Sequence, residues 1–229
     1  MEFCKGVLFC KMKKMGLYIF FCMVIVPLLI SCKADEVSDI SPDIEVVRSQ
    51  PERTYYENLE QIEEQASVIV KASVSENLGQ EVDTTYDYVF QKEMPTYGYS
   101  KWEVEVSKVY KGDVNVGDKL ILLQEYYIWT KSDGKKQLVT SSSVKPVKKG
   151  EEYLLLLRYE ELLGGYSTVG DYQGIYAIPT EEIVAKIEEG TLVQADFDIY
   201  YDDEPLNYLI PIYNEITKRY FDLNTTLNY

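Results

Sequence analysis

Any covalent chemistry in this chain has to be done without imidazole, because histidine is absent from all 229 residues. That excludes Ser–His and Cys–His nucleophile pairs, zinc sites of the usual His type and a pH switch through imidazole. Ser141-Ser142-Ser143 therefore has no His partner, and no nucleophile motif, P-loop or dinucleotide fingerprint occurs. Carboxylates, lysines, tyrosines and thiols remain. Two positioned carboxylates are enough for glycoside hydrolysis, but acids are too abundant here for spacing to single out a pair. Nine of them (Glu181, Glu182, Glu188, Glu189, Asp196, Asp198, Asp202, Asp203 and Glu204) share one stretch with Lys186. Asp196 and Asp198 followed by Asp202-Asp203 bring together oxygens that suit a hard cation. The stretch lacks the Gly at position six and the Glu at position twelve of an EF-hand loop, so a solvated acidic loop is the expectation, with no metal and no cofactor.

Positive charge gathers elsewhere. Lys131, Lys135, Lys136, Lys145, Lys148 and Lys149 face a single Asp133, a basic island of +5. Lys135, Lys136, Lys148 and Lys149 are the candidates for touching an anionic polymer or head group, such as a teichoic acid phosphate. A solvated hairpin, or one facing the acidic C-terminal third, explains the same charges. Lysine meets phosphate as a point charge without bidentate geometry, so selectivity would be poor. The 21 tyrosines, with pairs at Tyr55-Tyr56, Tyr126-Tyr127 and Tyr200-Tyr201, offer apolar faces with polar tips for sugar or peptide contact. Tyrosine is also a strong strand former, and sheet content accounts for much of this number.

The thiol of Cys32 has the most specific surroundings. An apolar run from Leu17 to Ile30 follows Lys11, Lys13 and Lys14, ends in Leu29-Ile30-Ser31-Cys32, and gives way to Lys33-Ala34-Asp35-Glu36. A basic start, an apolar centre and a small residue before the cut make a secretory signal. The Leu-Ile-Ser-Cys ending resembles the lipobox of bacterial lipoproteins. That resemblance implies cleavage between Ser31 and Cys32 and a diacylglyceryl thioether on Cys32, with 1–31 as signal peptide and the protein at the outer face of the bacterial cell membrane. The alternatives are an uncleaved anchor, a buried helix or plain secretion. A membrane span needs about 20 residues, and Pro27 interrupts this run. Two acyl chains on one residue hold stably where one holds reversibly. Met12-Lys13-Lys14 is a more ordinary signal start than Met1, which makes residues 1–11 an upstream extension.

Loss of Lys5, Lys11, Lys13, Lys14 and Glu2 with the leader leaves 19 basic and 37 acidic residues, a charge of −18. Such a balance argues against nucleic acid as partner and places membrane contact on lipid rather than on a basic surface. Cys4, Cys10 and Cys22 leave too, so Cys32 stands alone and no intramolecular disulfide or thiolate cluster can form. The fold must rest on its own core.

Residues 32–53 are polar and without period, a lipid-anchored flexible tether. Residues 54–229 form the single domain. Thr54 with Glu57 has capping-box spacing and starts a short amphipathic helix over about 55–65. Val68, Val70, Ala72 and Val74 alternate as a half-buried strand. In 77–96 only a strand at Thr85 to Phe90 suggests itself. Trp102 to Tyr110 is the clearest strand, Lys119 to Trp129 another, and Ser132-Asp133-Gly134-Lys135 a hairpin turn. Tyr153 to Arg158 has the continuous apolar character of a central strand. Thr180 to Gln194 fits a helix or a hairpin. Leu206, Leu209, Ile210, Tyr213, Ile216 and Tyr220 predict a C-terminal helix that Pro211 kinks or opens.

The segments 67–74, 104–112, 116–120, 148–157 and 174–178 are similar, in their order, to a group of bacterial exported proteins. The central domain of that group resembles the OB-type barrel of tissue inhibitors of metalloproteases and netrin-like modules. The resemblance implies a mainly β fold, a small OB-like barrel flanked by an N-terminal and a C-terminal helix. In the animal inhibitors a disulfide-bonded N-terminal cysteine presents its amine to the protease zinc. Cys32 precedes the first strand by about 35 residues and has no disulfide partner, so that inhibition does not carry over. The functional expectation is a non-catalytic binding or interaction module meeting a cell-surface protein or wall polymer. Its rival is a carboxylate-dependent hydrolase of cell-wall polysaccharide.

Overall fold

Val68, Val70, Ala72 and Val74 are all buried, as their alternation requires, and they begin β2 (Val68–Asp87). In the computed structural model the described residues are 40, 43–49, 54–201 and 206–221. Residues 1–31, expected to be a signal peptide with Ser31 at its end, lie outside them, as do Cys32 and the Asp202-Asp203-Glu204 triplet. β2 pairs antiparallel with β3 (Lys92–Lys111) along one edge and with β7 (Glu152–Glu160) along the other. β4 (Lys119–Gln124) continues from β3, and β8 (Gly165–Thr168) turns back on β7. A single parallel register pair, Leu122 with Tyr166, joins β4 to β8. The ring therefore runs β2-β3-β4-β8-β7 and back to β2, a partly closed five-stranded barrel of the OB kind. β9 (Ile175–Ala177) adds to β7 from outside the ring.

β7 is the central strand. Tyr153 and Leu154 to Leu157 are buried on both faces, because helices cover the side of the strand that the barrel interior does not. α1 (Leu59–Gln65) buries Leu59 and Ile62 and packs on β7 and on the C-terminal helix. After α2 (Glu181–Glu189), that helix is α3 (Leu206–Tyr220), which contains Pro211 and buries Leu209, Ile212, Tyr213, Ile216 and Tyr220. Each such side chain withdrawn from water contributes ~2 kcal/mol. Glu63 ties α1 to α3 and to the end of β3: its carboxylate accepts from Arg219 Nη1 and the Tyr220 hydroxyl, and its carbonyl from Lys111 Nζ.

The N-terminal helix starts later than its capping-box spacing suggests. Asn58, not Thr54, is the N-cap, its Oδ1 accepting from Gln61 N at 3.0 Å. Tyr56 stays outside the helix, where the wholly buried Gln173 amide takes both its main-chain groups, Tyr56 N donating at 2.8 Å and Tyr56 O accepting at 2.7 Å. The ambiguous stretch resolves as α2, between Thr180 as N-cap and Gly190 as a left-handed C-cap.

Two further departures shape the molecule. Lys119 to Trp129 is two strands rather than one, broken at Glu125, whose carbonyl accepts from Ser141 N and Thr140 Oγ1. The second piece, β5 (Tyr126–Thr130), forms a hairpin with β6 (Lys136–Thr140) across the expected turn, in a sheet of its own. β1 (Glu45–Arg48) lies parallel on β6, so part of the stretch expected to be tether is a strand. Ser100 Oγ to Tyr126 O (2.9 Å) and Trp102 Nε1 to Tyr126 Oη (2.8 Å) fasten this sheet to the barrel.

Candidate functional site

Strand period and barrel closure bring together in one cleft what sequence spacing alone leaves scattered. Tyr97 and Tyr99, two apart in β3, share a face, as do Arg158 and Glu160 at the end of β7. They line a cleft of about 430 Å³ together with Glu125, from the break after β4, and Asp171. The Tyr97 and Tyr99 rings stand 6.0 Å apart.

Asp171 opens a 3-10 turn (Asp171–Gly174) with φ of 55°, a left-handed conformation unusual for a residue other than glycine. Its carboxylate accepts from Ser142 Oγ at 2.5 Å and Ser143 N at 2.9 Å, while Ser142 Oγ accepts from Val144 N. The serine triplet is thus a loop clasped by a carboxylate. Glu125 accepts from Ser141 Oγ at 2.7 Å.

Glu160 accepts from Ser167 Oγ at 2.5 Å and from Arg158 Nε and Nη2 at 3.2 and 3.0 Å. Burial works against its charge, but the Ser167 hydroxyl and the Arg158 guanidinium outweigh it and hold the carboxyl below its ordinary range. Burial and then the charges of Glu125, Glu160 and Asp83 push the Tyr97 phenol up. Tyr99 is raised to about 12 by burial and by donating to Glu81 Oε2 at 2.6 Å. Both phenols stay protonated at neutral pH and serve as donors with apolar ring faces.

The four lysines singled out in the sequence lie outside this cleft and fall into two places. Lys135 and Lys136 sit at the β5–β6 turn, Lys135 Nζ being 3.8 Å from Asp133. Lys148 and Lys149 precede β7, where Lys148 Nζ meets Asp198 at 2.9 Å, so this part of the basic island does face the acidic third. The acidic stretch is likewise dispersed: Asp196 pairs with Lys186 at 2.5 Å and accepts from Val193 N, whereas Asp198 serves Lys148. Among the described residues no cluster of three or more acids, cysteines or histidines is arranged to hold a metal ion. Among the described residues part of the tyrosine is structural, with Tyr126, Tyr172, Tyr176, Tyr200 and Tyr213 buried in the core. Tyr97-x-Tyr99 and Arg158-x-Glu160 are the period-two signals that point to the cleft.

Comparison with protein-family models, curated proteins and solved structures gives no match for this chain.

Proposed function

We propose that this protein is a lipid-anchored binding module at the outer face of a bacterial cell membrane, a lipoprotein whose cleft takes a hydroxyl- or amine-bearing segment of a wall polymer or cell-surface protein. The observation that carries the binding reading is the Tyr97–Tyr99 pair beside a carboxylate–guanidinium pair in an open cleft. Ring faces and fixed polar groups side by side suit sugars and peptides.

A hydrolase would need one carboxylic acid with a raised pKa as proton donor. Glu160 is shifted the other way, and Glu125 and Asp171 are engaged by serine hydroxyls, which favours binding over turnover. Titration of the purified protein with soluble wall fragments is expected to show binding without product, weakened at least tenfold, ~1.4 kcal/mol, in Tyr97→Ala. Steady release of cleaved fragments, abolished by Glu160→Gln, would overturn this in favour of the hydrolase.

The anchor has its own test. Cells given labelled palmitate are expected to mark the protein, and Cys32→Ser to abolish the label and release the chain from the membrane fraction. Label retained in Cys32→Ser would refute the address.

A further inference from the structure

The barrel uses only the first half of β2 and the second half of β3. Beyond Gln80 and Tyr99 the two strands continue as a ribbon, largely exposed on both faces, to a tip at Tyr88–Gln91. From Gly98 to Phe90 this arm extends about 25 Å. Tyr88, Val89 and Phe90 at its end are 85%, 84% and 66% exposed. A two-stranded ribbon is marginal in water by itself, and three large apolar side chains together at its apex mark a contact surface.

The chemistry of the tip indicates what it contacts. Asp87 Oδ1 accepts from Val89 N at 2.8 Å and Phe90 N at 3.0 Å, so these turn amides need no water when the apex leaves it. Tyr86 packs edge-on to Tyr88 at 5.2 Å, and the Lys92 ammonium lies 5.8 Å from the Phe90 ring centre. An apolar apex flanked by amphipathic rings and a lysine that can snorkel is the composition favoured at a membrane–water boundary.

Position adds to this. The Gln80 amide bonds both main-chain groups of Ile128 in β5, at 2.8 and 2.9 Å. A Cβ on Gly98 would come within 2.5 Å of the Tyr127 ring, so the β5–β6 hairpin lies along the root of the arm. β1 is the outer strand of that same sheet, with Glu45 bound to Lys131 beside the hairpin turn at 2.5 Å. The chain thus enters the domain on the far edge of the small sheet that flanks the arm's root, two strands from it. Twelve residues separate Glu45 from Cys32, a reach of about 40 Å at full extension.

We propose that Tyr88-Val89-Phe90 docks into the boundary between head groups and acyl chains of the bilayer, a second attachment beside the lipid. The proposal rests on the anchored reading above, which supplies the high local concentration that makes a weak insertion effective. Asp83, Asp87 and Glu93 near the apex keep the insertion shallow and make it depend on apolar contact rather than on anionic head groups.

In the acylated protein the Cys32 sulfur is blocked and the other three cysteines have left with the signal, so Val89→Cys introduces the one free thiol. The variant, isolated from membranes, labelled with an environment-sensitive fluorophore and reconstituted in phosphatidylcholine vesicles, is expected to emit at shorter wavelength. Doxyl lipid should quench it several-fold more than the same probe on Leu162→Cys, in the exposed β7–β8 turn. Equal quenching at both positions would overturn the proposal. A blue shift without lipid quenching would also overturn it, by placing the tip against protein, a second copy or another partner. Labelling of the unsubstituted protein at Cys32 would instead refute the anchor, and the proposal with it, by a distinct signal.

Discussion

Gln173→Leu is expected to lower the free energy of unfolding by ~3 kcal/mol, seen as a fall in the urea midpoint. Leucine has nearly the volume of glutamine, so packing is little changed. What disappears is the pair of hydrogen bonds to Tyr56 N and Tyr56 O, which leaves a half-buried peptide group without partners at 1–3 kcal/mol for each roughly. Gln173→Glu keeps the acceptor for Tyr56 N and is expected to lose less from that bond, while adding the penalty of a buried charge. The effect should spread to α1, because Tyr56 sets the path by which the chain reaches Asn58. Hydrogen exchange in 56–66 should therefore accelerate more than exchange in β5 and β6. An unchanged urea midpoint in Gln173→Leu would mean that the clasp contributes nothing.

The next residue gives the second large effect. Gly174→Ala is expected to destabilise by ~3 kcal/mol, since the added methyl would lie 2.5 Å from Val169 N, 2.6 Å from Val169 O and 2.8 Å from Leu156 O, all main chain. These atoms cannot yield independently, because Val169 N donates to Leu156 O at 3.0 Å inside the barrel wall. Gly134→Ala is the control. Gly134 has φ of 82° and open space around its Cβ position, so only the left-handed conformation opposes the substitution, at ~1 kcal/mol. Thermal melts of both variants check the contrast, and equal melting temperatures would contradict it.

The ring was legible wherever a strand has one dry face or two. Val68 to Val74 and Trp102 to Val106 alternate because one side meets the core, and Tyr153 to Leu157 is continuously apolar because helices cover its other side. In the outer half of β2 and β3 only Thr85 to Phe90 stood out as a strand, and it ends at Asp87 with Tyr88 to Phe90 in the tip turn; the rest was not legible for the same physical reason, since a ribbon wet on both faces has no apolar alternation to read. β1 escaped notice because a four-residue strand on a sheet edge needs only backbone partners. The cleft was harder still. Glu125, Asp171 and Arg158-x-Glu160 come from separate segments that only barrel closure unites. Charge density drew attention to the lysines at 131–149 instead, and in the fold these divide between a hairpin turn and an ion pair with Asp198.

Any pull on the segment ahead of Glu45 enters the fold through β1. Its parallel ladder with β6 is loaded along the strand, so its bonds resist in shear, together with Ser49 N on Thr140 O at 3.0 Å. Tension thus stops in the small side sheet, and the Gln173 clasp on Tyr56 stands as a second check before the barrel. Should the ladder part, the segment ahead of the barrel lengthens from Glu45 toward Tyr56 and Thr54 leaves the cleft lining, while the five-stranded ring keeps its pairing, the behaviour of a mechanical fuse.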